Sequence, residues 1–83
     1  MNKKKYVSPE VTAENKRIRM LRFMVELTIA LIYQSGMTRE EALERVGGVR
    51  RFALKLFPGK EVAFELIYAP KFKSVIREVY GFH

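Results

Sequence analysis

Residues 18–33 read IRMLRFMVELTIALIY, and this stretch decides the fold. At about 100° per residue, five aliphatic side chains fall on one side of a helix: Ile18, Leu21, Val25, Ile29 and Ile32. A second apolar stripe has the 4-3-4 spacing of a coiled-coil seam and holds Met20, Met24, Leu27 and Leu31. The remaining polar wedge is narrow and holds Arg19, Arg22, Glu26 and Tyr33. A helix of this kind has to be covered from two directions.

Local signals set the bounds of this first helix and of the next one. Ser8-Pro9-Glu10 predicts the start of helix 1, which Gly36 ends. The pair Thr38 and Glu41 has the spacing of a capping box, so helix 2 is expected to begin at Arg39. The apolar phase of helix 2 continues through the glycine pair at 47–48, which favours one kinked helix over a break at that point.

The second half of the chain is also expected to be helical. Residues 60–68 fit both a helix and an alternating strand, and helix is favoured because a single strand would have no partner. Helix 4 follows Pro70 and ends at Gly81. The predicted fold is all-α: a small bundle of three to five helices in one domain, residues 8–83, with a long central helix 1. Residues 1–7 are interpreted as a flexible basic arm.

The second apolar stripe of helix 1 predicts self-association. Helices 2 to 4 form one layer, which covers one side of helix 1. We therefore expect Met20, Met24, Leu27 and Leu31 to form the contact between copies in a homodimer or a larger helical assembly. The alternative is that helices 2 and 4 straddle helix 1 within a single chain.

The composition argues against an enzyme. All nine acidic residues are glutamates, the chain has no cysteine, and its single histidine is His83. A Ser/His/Asp relay, a thiolate or two-histidine metal site and a general base working near neutral pH lack the residues they need. No phosphate-binding glycine motif is present either. From these missing residues and motifs together, we expect neither a metal nor a cofactor. Glutamate pairs one helical turn apart, such as Glu40 with Glu44, are interpreted as solvated helix surface.

The positive charge is uneven along the chain. The formal net charge is +7, and residues 1–22 hold seven basic side chains against two glutamates. A basic N-terminal region of this kind is typical of proteins that meet an acidic partner, so nucleic-acid binding is the alternative function. The candidate anion-binding residues of this region are Lys3, Lys4, Lys5, Lys16, Arg17, Arg19 and Arg22.

A second basic patch is predicted at Arg50, Arg51 and Lys55. If the chain broke at Gly47–Gly48, residues 39–57 would resemble a helix-turn-helix in length and would present these three side chains to DNA. The order of residues before the turn fits that motif poorly, and the second helix carries many apolar side chains.

No transmembrane segment is expected, because the most apolar stretch is short and contains Arg22 and Glu26. No secretory signal is expected, because the chain continues after its lysines with Ser8-Pro9-Glu10 and stays polar to Arg17. A cytoplasmic location fits the lack of cysteine, and the high content of glutamate, lysine and arginine resembles that of thermophilic proteins. The best interpretation is a non-catalytic, self-associating helical module for assembly or partner binding.

Overall fold

The computed structural model describes the backbone of residues 9–81 and the side chains of residues 12–81. Within this range the chain is all-helical and forms a bundle of four helices: α1 (Pro9–Gln34), α2 (Arg39–Leu56), α3 (Glu61–Ile67) and α4 (Ala69–Tyr80). The prediction of an all-α bundle is confirmed, and the four described helices fall within the predicted three to five. The predicted basic arm, residues 1–7, lies outside the described residues.

The end of α1 and the start of α2 follow the local signals. Gly36 has a φ of +70°, a backbone conformation that glycine adopts without strain. The capping box of α2 is complete, since the Glu41 amide donates to Thr38 Oγ1 at 3.1 Å and the Thr38 amide donates to Glu41 Oε1 at 2.8 Å. These contacts satisfy amide groups that the first turn of α2 would otherwise leave without acceptors.

The α2 helix is continuous through Gly47 and Gly48. Its buried side chains, Ala42, Val49 and Ala53, keep one helical phase on both sides of the glycine pair. The helix-turn-helix interpretation of residues 39–57 is therefore wrong, because that motif needs two helices joined by a turn. Burial of the apolar stripe on both sides of the pair outweighs the low helix propensity of two glycines.

Helices α3 and α4 follow one another almost without a loop. Residues 61–67 form a helix, as predicted, and the strand alternative is wrong. Helix α4 begins at Ala69 and takes Pro70 into its first turn, where the missing N–H of proline costs no hydrogen bond. Tyr68 lies at the junction, donating its amide to Phe64 O and accepting from the Phe72 amide.

The core lies where α1 rests on α2 and α4. Two clusters of buried side chains form it: Leu21, Val25, Val49, Ala53, Phe64 and Phe72 near the middle of α1, and Ile32, Ala42, Val75 and Ile76 near its C-terminal end. Ile29 and Val46 pack against both clusters. One side of α1 is therefore covered by the other helices.

The molecule is elongated because α1 is longer than the layer it packs on. The Cα atoms extend 52 × 27 × 16 Å with a radius of gyration of 15.5 Å, whereas a compact domain of this size has about 12 Å. The 26 residues of α1 give it a length of about 39 Å. All five residues from Thr12 to Lys16 are exposed, so the N-terminal turns of α1 extend beyond the core.

Replacement of Gly48 by alanine should stabilise the fold. A Cβ built at Gly48 meets Arg51 Nη2 at 3.7 Å, which is ordinary van der Waals contact, so the higher helix propensity of alanine should raise the free energy of unfolding by about 1 kcal/mol. The matched control is Gly36→Ala, which forces a side chain into positive φ and should lower it by about 1–2 kcal/mol. Urea titrations of the unaltered chain and the two variants, all at the same protein concentration, measure both changes. A destabilised Gly48→Ala variant would contradict the account.

Candidate interaction surfaces

Three of the large exposed hydrophobic side chains of α1 lie along one of its sides. Met20 is 50% exposed, Phe23 is 62% exposed and Leu27 is 40% exposed. Their spacing of three and four residues places them on a single side, which we call the α1 outer face. Of the four side chains that the sequence analysis selected as an interface, Met20 and Leu27 belong to this face, whereas Met24 and Leu31 are half-buried at its edge.

Phe23 is a residue of this face that sequence reasoning missed. Among the described residues of α1, it is the most exposed aromatic side chain. The signal was present, because Phe23 lies three residues after Met20 and four before Leu27. The seam predicted from the sequence passes through Met24 instead, because the helical wheel of an almost wholly apolar helix does not show which side its neighbours cover.

The spacing of the α1 outer face continues towards both ends of α1. Lys16 precedes Met20 by four residues, Ala30 follows Leu27 by three, and Gln34 follows Ala30 by four. Lys16 and Gln34 are exposed, and Ala30 is half-buried. The complete series therefore has a heptad pattern with an apolar middle and polar ends.

The polar wedge of α1 contributes to the attachment of α4. The Tyr33 hydroxyl donates a hydrogen bond of 2.7 Å to Glu78 Oε1. Because ionisation of Tyr33 would remove this donor beside a carboxylate, the hydrogen bond raises the pKa of Tyr33 above its ordinary value. This contact fixes the side of α1 next to α4 and leaves the outer face away from it.

The basic residues predicted near the N-terminus do not all meet on one surface. Lys3, Lys4 and Lys5 lie outside the described residues. Arg19 and Arg22 are exposed and line a shallow depression of about 390 Å³ with Thr12, Asn15 and Ile18. Arg17 is half-buried on another side, with its guanidinium 5.8 Å from the centre of the Phe57 ring, where the cation and the aromatic face attract each other.

The second predicted basic patch is divided between two sides of α2. Arg50 Nε donates to Glu65 Oε2 at 2.8 Å, which fixes Arg50 towards α3. Arg51 is exposed on another side, where its guanidinium lies along Gly47 and Gly48. Lys55 follows Arg51 by one helical turn and is also exposed. Arg51 and Lys55 therefore share a surface that does not include Arg50.

A groove between α2 and α4 is a surface that sequence reasoning did not find. It has a volume of about 460 Å³, and none of the α1 side chains from residue 12 onwards lines it. Four basic side chains and one carboxylate surround an apolar floor: Arg39, Arg50, Lys73, Arg77 and Glu65. We call it the α2–α4 groove. A partial signal exists in the sequence, since Arg39, Leu43, Val46 and Arg50 follow one another at helical spacing along α2.

The described residues contain no cluster of three or more histidine, cysteine, aspartate or glutamate side chains able to hold a metal ion. Of the glutamates that lie one helical turn apart, Glu40 and Glu44 are exposed, and Glu65, four residues after Glu61, forms an ion pair with Arg50.

Comparisons with known protein families, with curated proteins and with solved structures each find no match to this chain. In the part of the chain that the structure describes, none of the helices combines the length and the apolar character needed to cross a bilayer.

Proposed function

We propose that this chain is a non-catalytic, self-associating helical module whose copies meet through the α1 outer face. The observation that carries the proposal is the exposure of Met20, Phe23 and Leu27, at 40% to 62%, along one side of the longest described helix. Burying the exposed part of each side chain against another helix contributes on the order of 1 kcal/mol. A contiguous apolar patch of this kind is typical of an interaction site.

The pattern of the face favours a second copy as its partner. In an antiparallel pair of α1 helices centred on position 25, Phe23 of one copy lies opposite Leu27 of the other. The same register places Met20 opposite Ala30, so that larger side chains meet smaller ones, and Lys16 opposite Gln34. The face is therefore complementary to itself, as a two-fold symmetric contact requires.

The distribution of charge supports the antiparallel direction. A parallel pair would place the two Lys16 side chains in one seam and would bring together both basic N-terminal regions, each with seven basic side chains against two glutamates in residues 1–22. The antiparallel pair separates these regions to opposite ends of the dimer, and like-charge repulsion falls with that distance.

Leu27→Glu tests the interface, because it places a charge in the middle of the α1 outer face. The variant should shift the mass found by light scattering after gel filtration from that of a dimer towards the monomer mass of 9.7 kDa. Leu66→Glu is the matched control, since Leu66 is 73% exposed on α3 and outside the face. A folded Leu27→Glu variant with the mass of the unaltered chain would contradict the proposal, as would equal effects of the two substitutions.

A second candidate function is nucleic-acid binding, and one observation favours it: Arg19 and Arg22 are both exposed and line the same depression near the middle of α1. Exposed arginines one turn apart can neutralise neighbouring phosphates. Because the proposed contact between copies is two-fold symmetric, one dimer would carry two copies of this depression.

Binding to a generic DNA duplex should be strongly salt-dependent if this candidate function holds. With about four phosphate contacts, affinity should fall about a hundredfold between roughly 50 and 200 mM salt. Arg19→Gln should weaken binding at low salt, whereas Arg45→Gln, an exposed arginine on α2, should change it little. Fluorescence anisotropy measures both effects. Absence of binding at the lower salt concentration, or equal loss in both variants, would rule out phosphate binding at Arg19 and Arg22.

A further inference from the structure

The α2–α4 groove combines two properties that ordinary helix surface lacks. Its floor is apolar, and it includes Leu43, which is 41% exposed, together with Val46 and Ile76. Its edges carry four basic side chains against one carboxylate, Glu65. An open apolar floor between basic edges has the complementary pattern to a ligand that is apolar on one side and acidic on its flanks.

The two helices that form the groove are antiparallel. At one end the Tyr80 hydroxyl donates to the backbone oxygen of Met37 at 2.8 Å, which places the start of α2 beside the end of α4. At the other end Arg50 pairs with Glu65, four residues before the first residue of α4. Arg39 and Arg50, eleven residues apart on α2, are therefore separated by about 16 Å along the groove.

Two of the basic side chains have capacity for a ligand. Lys73 is exposed, and no ion pair or hydrogen bond involves it among the residues described. The Nε of Arg39 is buried and lacks an acceptor in the described part of the chain. No hydrogen bond or ion pair of the Arg39 side chain is formed among the described residues, so a ligand carboxylate would pair with its guanidinium without displacing another partner.

We propose that the α2–α4 groove binds an acidic amphipathic helix of another protein. The apolar stripe of such a helix would cover Leu43 and Val46, and its flanking carboxylates would meet the basic side chains on both edges. The site lies away from the α1 outer face, so the inference is independent of self-association.

The arrangement distinguishes this ligand from three others. A fatty acid carries one carboxylate, whereas the basic side chains are distributed over about 16 Å. Nucleic acid would leave the apolar floor uncovered, and the aromatic rings of the groove, Phe64 and Phe72, are 5% and 2% exposed and cannot stack on bases. A second copy of this chain would bring a formal net charge of +7 to an edge that is already basic.

The probe is a fluorescent synthetic peptide of about fifteen residues, with leucines at the spacing of one helix face and glutamates elsewhere. A control peptide has the same composition in an order that scatters the leucines around the helix. Fluorescence anisotropy with the full chain should show binding of the first peptide and at least about tenfold weaker binding of the second.

A pair of variants on α4 locates the binding site. Lys73 and Lys71 are both exposed, two residues apart on the same helix, and Lys73 lines the groove whereas Lys71 does not. Lys73→Glu should weaken peptide binding at least about fivefold, and Lys71→Glu less than about twofold, because a charge acts most strongly on the groups nearest to it. Circular dichroism should show that both variants retain the helical content of the unaltered chain.

The apolar floor has a matched pair as well. Leu43→Gln should weaken binding of the peptide, whereas Leu66→Gln, at a leucine outside the groove, should leave it unchanged. The proposal is overturned by equal effects of Lys73→Glu and Lys71→Glu, by equal binding of the two peptides, or by no binding at about 0.1 mM peptide. Displacement of the peptide by laurate or by a DNA duplex at lower concentrations than by unlabelled peptide would assign the groove to that ligand instead and equally overturn it.

Discussion

The packing of α1 on the layer formed by α2 and α4 is the contact on which the rest of the molecule depends. Leu21, Val25 and Ile32 of α1 are almost completely buried in it. The contact covers one side of a helix that is apolar on more than one side, and α1, with 26 residues, is longer than α2, with 18, and α4, with 12. The same contact that forms the core thus leaves Met20, Phe23 and Leu27 partly exposed, and self-association would bury them.

Much of the fold could be predicted from the sequence because its signals are local. The capping pair Thr38 and Glu41, the positive φ of Gly36 and the proline at position 70 each act within one helical turn, and the structure has helix ends at or next to each of them. For the continuity of α2 through its glycine pair, two signals in the sequence oppose each other: the low helix propensity of glycine favours a break, and the apolar phase favours one helix. The structure follows the apolar phase, since burial of Val49 and Ala53 depends on one unbroken helix.

The surfaces were less predictable because they depend on which helices meet. The sequence shows that α1 has two apolar stripes, but the position of α2 and α4 determines that Met24 is half-buried and Phe23 is exposed. The α2–α4 groove requires the antiparallel pairing of helices that are distant in sequence, as the hydrogen bond between Tyr80 and Met37 shows. Likewise, Arg50 and Arg51 are neighbours in sequence, yet the ion pair with Glu65 fixes Arg50 towards α3 while Arg51 lies on another side of α2.

The central claim is that the α1 outer face is covered by the same face of a second, antiparallel copy. Isotope-filtered nuclear Overhauser spectroscopy on a mixture of labelled and unlabelled chains tests it directly, because it detects contacts between copies alone. The account predicts cross-peaks from the Phe23 ring of one copy to the Leu27 methyl groups of the other, and from the Met20 methyl group to that of Ala30. Absence of any intermolecular cross-peak from these four side chains, at concentrations where the assembly is present, would contradict it.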